Sequence, residues 1–169
     1  MVVGGVIFQW LLLKCEGAMS ENKSKAGQAV KCFVDGFNCS QSLLSTYGPQ
    51  FGLDTEMSLK ISSPFGGGIG HMGETCGALT GAFMVLGLRS GRTKVDDKEA
   101  QERVYKLVAE FVEKFEERNG SVICRDLLGY DLSKPEDLKL VKAKGITRAK
   151  CPKFVKDSAE ILEGMLQRS

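Results

Sequence analysis

From Ser20 onward, apolar residues recur at three- and four-residue spacing, and each stretch stops at a glycine or ahead of a proline. That period predicts helices joined by glycine-marked turns. The first carries Ala26, Ala29, Val30, Phe33 and Val34 at helical spacing, with Gly36 as its stop. Asn38 is a natural N-cap for the second, which carries Cys39, Leu43, Leu44 and Tyr47 and ends at Gly48-Pro49. Asp54 caps a third, with Glu56 in its first turn and Met57, Leu59 and Ile61 following. It closes before Pro64, because the residue ahead of a proline is disfavoured in the α region.

The pattern then changes. Phe65–Gly91 holds nine of the twenty glycines, the only histidine, His71, and Cys76. Within it Glu74–Leu88 reads as a helix with almost no polar face, so it should be central and covered on all sides. Gly73, Gly77 and Gly81 lie four apart, a smooth stripe that lets a neighbouring backbone approach closely. After a polar turn, Asp97–Arg118 predicts a long amphipathic helix with Val104, Leu107, Val108, Phe111, Val112 and Phe115 inward. Ser121–Leu128 fits either a turn of helix or a brief extended piece. Pro135 suits the first position of a small charged helix that Gly145 closes, and Cys151-Pro152 starts the last one. No run of alternating strands appears. The expected class is all-α, a multi-helix bundle around the Gly/Ala-rich helix over 74–88.

Val2–Leu13 is apolar apart from Gln9, too short for a typical membrane span and without the basic start of a secretory signal. Residues 1–19 are read as a leader outside the fold, with translation from Met19 as the favoured explanation. Residues 20–169 are then one helical domain, a length that buries a real core. Composition adds two exclusions. Charged residues are 26 % with a net charge of +2 and the signs intermixed, so no nucleic-acid footprint is visible. Stable membrane insertion is not expected either, and the setting is taken as cytoplasmic.

The six cysteines form no CxxC pair and are too sparse for a disulfide scaffold. Four of them, Cys39, Cys76, Cys124 and Cys151, fall at expected helix starts. Free backbone amides and the positive end of the macrodipole favour a thiolate there, making it a better nucleophile or metal ligand. Cys32, beside Phe33, reads as core or partly exposed, and Cys15 lies in the leader; both read as incidental to the chemistry. With one histidine, a metal site within one chain rests on thiolates. His71 is the one imidazole able to bond a thiolate or a metal. Gly68–Gly73 also spells GxGxxG, but no strand precedes it and no βαβ unit follows. Its amides remain candidates to bind an anion or approach a sulfur. A haem-attachment CxxCH is absent, so covalent haem is not expected.

Phe37-Asn38-Cys39-Ser40-Gln41, then Phe65-Gly66-Gly67-Gly68, then Gly73-Glu74-Thr75-Cys76-Gly77-Ala78-Leu79-Thr80-Gly81-Ala82, then Cys124 before Leu127-Leu128-Gly129, then Cys151, resemble the C-GCAxxG-C-C family, described as redox-active. The resemblance runs roughly from Lys25 to Leu166. It departs at one place: the motif sets cysteine directly before alanine, and here Gly77 stands between Cys76 and Ala78. The resemblance implies a helical, prokaryotic domain with four characteristic cysteines, Cys39, Cys76, Cys124 and Cys151. The family is similar to part of the split-Soret cytochromes, where related cysteines accompany an iron–sulfur centre.

Three functions follow. In the first, Cys39, Cys76, Cys124 and Cys151 hold an iron–sulfur cluster or another thiophilic metal, with Gly66, Gly67, Gly68, Gly73, Gly77 and His71 approaching the cofactor. In the second, a metal-free thiol oxidoreductase or sensor uses Cys76 as nucleophile, resolved by Cys39, Cys124 or Cys151. In the third, the cysteines are inert and the glycine stripe packs a partner or a second copy in a homodimer. The redox partner is not identified by any motif, and whether the chain is an enzyme is left open.

Overall fold

The computed structural model describes residues 24–168, so the expected leader lies outside the described residues. Among them eight α-helices follow in order: α1 (Ala26–Val34), α2 (Cys39–Tyr47), α3 (Thr55–Ser62), α4 (Gly77–Ser90), α5 (Lys98–Asn119), α6 (Cys124–Leu128), α7 (Pro135–Lys144) and α8 (Ile146–Leu166). Short 3-10 turns at Gly48–Phe51 and Ser63–Phe65 follow α2 and α3. The strand-like pairing among the described residues is one antiparallel bridge between Thr75 and Ile123. The class is all-α, and no helix among the described residues is long and apolar enough to cross a membrane.

The cap residues set the helix starts. The Asn38 side chain accepts from the Gln41 amide at 3.0 Å while Gln41 Oε1 accepts from the Asn38 amide at 3.1 Å, a complete capping box for α2. Asp54 accepts from the Met57 amide at 2.9 Å and Asp97 from the Ala100 amide at 3.0 Å. Gly36, Gly120 and Gly145 take positive φ where α1, α5 and α7 end, a conformation cheap for glycine alone.

Three expectations are corrected. The central helix begins at Gly77, not Glu74, because Thr75 is drawn into the bridge and the Cys76 amide donates to Val122 O at 2.9 Å. It is also not covered all round, since Leu88 is 40 % exposed. The last helix begins at Ile146, ahead of Cys151, and carries Pro152 inside it. Its start is fixed by Gly145, which closes α7 and opens α8 at the same residue. On α1, Cys32 is buried and Val34 points out, 68 % exposed.

The core lies between α2 and α4, with α8 and α5 closing over them through Phe111, Phe115, Val155 and Leu162. Gly77 and Gly81 are what bring α4 onto α2. A methyl at Gly81 would stand 2.7 Å from Ser40 O and 2.8 Å from Leu43 Cβ, and one at Gly77 3.0 Å from Phe65 O. Each glycine costs about 1 kcal/mol of helix propensity, offset here by backbone contact no larger residue permits. Gly73 lies outside the helix, so the stripe is two residues long, and α2 already fills it. It offers no free face to a partner.

Candidate functional site

Cys39, Cys76, Cys124 and Cys151 line one cavity of about 540 Å³. Each comes from a different place in the fold. Cys39 is the first residue of α2, beside its Asn38 cap. Cys76 is the residue from which α4 starts, and Cys124 the first of α6. The bridge sets these two side by side: the Cys76 amide donates to Val122 O at 2.9 Å, and the Cys124 amide to Glu74 O at 2.7 Å. Cys151 comes from within α8, so three of the four lie at helix starts and the fourth does not. Cys32 is buried elsewhere, 3.5 Å from Ser45 Oγ, and does not line the cavity.

The glycine loop forms part of the wall. Gly67 through His71 all take left-handed φ, between 56° and 68°, and two of the five, Ile69 and His71, are not glycine. Such a run is costly for L-residues, most of all for a β-branched one. It is held by backbone bonds from the amides of residues 69–74 to carbonyls at Pro64–Gly68 and Ile69. Those bonds correct the expectation of an open nest, because these six amides are spent on the loop itself. Close approach is real, however. A methyl at Gly68 would lie 2.7 Å from Cys124 Cβ, and one at Gly77 3.2 Å from Cys39 Cβ. Gly66 packs on the Asn38 side chain and Gly67 under the His71 ring, whose residue lines the cavity but is exposed. Gly73 packs against Arg125, whose guanidinium pairs with Glu74 and donates from Nε to Gly73 O at 3.2 Å.

The electrostatics reverse one expectation. Burial pushes the Cys76 thiol up to about 12, against the lowering by the amides of Ala78 and Leu79 at the start of α4. Burial also raises Cys124, helped by charge on Cys76 and Cys151 and opposed by Arg125. Cys39 and Cys151 act as a pair. Cys39 is raised well above the ordinary range because its thiol donates a hydrogen bond to Cys151, and burial adds to this. Cys151 is lowered by accepting that bond, with Lys150 helping against burial. Cys151 is thus the most readily ionised thiol of the set, and not because of a helix start. Cys39, Cys76, Cys124 and Cys151 are in no disulfide. Among the described residues no three of His, Cys, Asp or Glu stand as a ready single-ion site.

A family model described as "Putative redox-active protein (C_GCAxxG_C_C)" matches residues 37–165, more than half of the chain. The chain belongs to the C_GCAxxG_C_C family. No curated protein and no solved structure matches it. The matched span of this C_GCAxxG_C_C protein contains all four cavity cysteines and excludes Cys32.

Arg125 and Lys150 went unremarked in the sequence. Lys150 Nζ donates to Leu128 O at 2.9 Å, tying the end of α6 to α8, while its charge favours the Cys151 thiolate. Their signal was adjacency: a basic residue flanks Cys124 and another flanks Cys151.

Proposed function

We propose that this chain is a redox or electron-transfer protein whose Cys39, Cys76, Cys124 and Cys151 hold an iron–sulfur cluster. Convergence carries the reading: four thiols from four separate elements line one cavity of about 540 Å³. Four cysteine thiolates are the common ligand set of such clusters. Another thiophilic metal on the same thiols is the coarser form of the same reading. The donor set fits, since no carboxylate is among the described lining residues and His71 is the lone imidazole. When bound, the cluster supplies one-electron chemistry.

The chain's own residues prepare the place. The four cysteines are 3–7 % exposed, and Gly68 and Gly77 let backbone lie against Cys124 and Cys39. Arg125 and Lys150 set positive charge beside Cys124 and Cys151, favouring the ligating thiolate form. Cys39, Cys76 and Cys124 must each release a proton on ligation, so binding strengthens as pH rises. Free cysteines also support a reducing, cytoplasmic setting.

The pairing of Cys39 with Cys151, which raises one thiol and lowers the other, favours a second reading, thiol–disulfide chemistry. There Cys151 is the better nucleophile and Cys39 its partner, whereas Cys76, held protonated, is not the leading thiolate.

Anaerobic purification with a visible spectrum and iron and sulfide analysis separates them. Bound iron and sulfide, lost in Cys76→Ser and kept in Cys32→Ser, is the expected result. A colourless, metal-free protein whose Cys39 and Cys151 oxidise together under mild oxidant would replace the first reading with the second. Equal losses from both variants would refute the division of the cysteines.

A further inference from the structure

The cavity has more lining than its four thiols, and the lining groups differ in chemistry and exposure. At the floor the four sulfur-bearing residues are 3–7 % exposed. Much of the remaining lining is apolar, with Val34 68 % exposed at the end of α1, and Leu138 and the buried Val141 from α7. Apart from the thiols and His71, the charged groups among the described lining residues are Lys142 and Arg148, both cations and both exposed. Neither is in an ion pair with another described residue. This contrasts with Lys150, spent on the carbonyls that end α6, and Arg125, spent on Glu74 and Gly73 O.

We propose that the outer half of this cavity binds a small organic anion with an apolar body, its acid group on Lys142 and Arg148 and its other end toward the thiols. This rests on the reading of the cavity as the redox site and names the class of compound it receives. The concave shape favours a small molecule, since apolar walls with a few placed polar groups are the form of small-ligand pockets. Charge complementarity supplies the sign. Two cations at the mouth of an apolar recess select an anion over its neutral analogue, and the recess selects an apolar body over a bare inorganic ion. The mouth is assembled by the α7–α8 turn at Gly145, which holds Lys142 on one side and Thr147 and Arg148 on the other.

The test uses protein purified anaerobically, with iron and sulfide measured on the same sample. The probes are 8-anilinonaphthalene-1-sulfonate, an apolar anion, and its neutral counterpart N-phenyl-1-naphthylamine, each titrated by fluorescence. One sulfonate per chain is expected. Lys142→Gln with Arg148→Gln should weaken it about tenfold or more, the scale of two partly screened charges, with little change for the neutral probe. Both substitutions are on exposed side chains, and unchanged helical circular dichroism checks the fold. Thr147→Trp, which narrows the mouth, should weaken both probes. The proposal falls if the double substitution leaves sulfonate binding unchanged, if Thr147→Trp has no effect, or if many sulfonates bind loosely. Iron and sulfide decide the cluster separately: a metal-free protein with the probe pattern intact loses the cluster alone, and a loaded protein without the pattern loses the anion site alone.

Discussion

At the residue scale, Cys76 sets two effects against each other. It starts α4, and the amides of Ala78 and Leu79 lower its pKa, yet the thiol stands at about 12. The magnitudes explain this. A helix terminus contributes about 0.3–1 kcal/mol, whereas full burial shifts a titratable group by up to about 3–5 pKa units. A stability consequence follows for the metal-free protein. An unfolded cysteine ionises near its ordinary 9.0, while the folded one holds its proton to about 12. Above the lower value the unfolded state binds fewer protons, so stability is full below it and is lost as pH rises through the window between the two. At about 1.4 kcal/mol per unit, Cys76 accounts for roughly 4 kcal/mol at most. Thermal melts of metal-free protein from pH 8 to 11 should show a steep loss that Cys76→Ser reduces. Tyr47, raised by burial and its bond to Glu163, contributes a loss that the variant keeps. Identical pH slopes for the two proteins would show that Cys76 ionises freely in the fold.

At the scale of elements, Asn38 does more than start α2. It closes the capping box with Gln41, and its Nδ2 donates to Ser63 O at 2.9 Å, pinning the turn ahead of the glycine loop over Cys39. Removing such a cap costs about 0.5–2 kcal/mol, and the Ser63 bond adds to it, so Asn38→Ala should cost about 2 kcal/mol in a denaturant melt. The same substitution should speed hydrogen exchange at Ile69–Glu74, and a loop exchanging as in the parent would separate cap from loop. Such caps were legible because they act within three or four residues: Asn38, Asp54 and Gly145 all sit where the sequence put them. Cys151 was misread because Cys151-Pro152 imitates a helix start, while α8 was already running from Gly145. The start of α4 was misread because Thr75 is held by Ile123, a partner far along the chain that no local pattern reveals. Lys142 and Arg148 reach the cavity only through the α7–α8 turn, and they left no signal for the same reason.

At the scale of the whole molecule, the four cysteines tie the stability of the fold to whatever they hold. Their positions, 39, 76, 124 and 151, span most of the described chain, and they enter the cavity from α2, α4, α6 and α8. Without a bound group their packing rests on burial, and Cys39 and Cys151 shift each other's proton affinity in opposite directions. The loop beside them is strained, with Ile69 and His71 in left-handed conformation. The unfolded chain cannot bring four such distant thiols together, so a group bound to all four stabilises the folded state alone. The linkage is about 4 kcal/mol at a thousandfold excess over the dissociation constant. For a domain of this length, that corresponds to about 10 °C or more in the melting midpoint. Removing iron anaerobically with a chelator should therefore lower the midpoint by that amount. Hydrogen exchange should rise first at the starts of α2, α4 and α6, and around Cys151. A midpoint and an exchange pattern that do not move on iron removal would mean that the four thiols do not share a ligand.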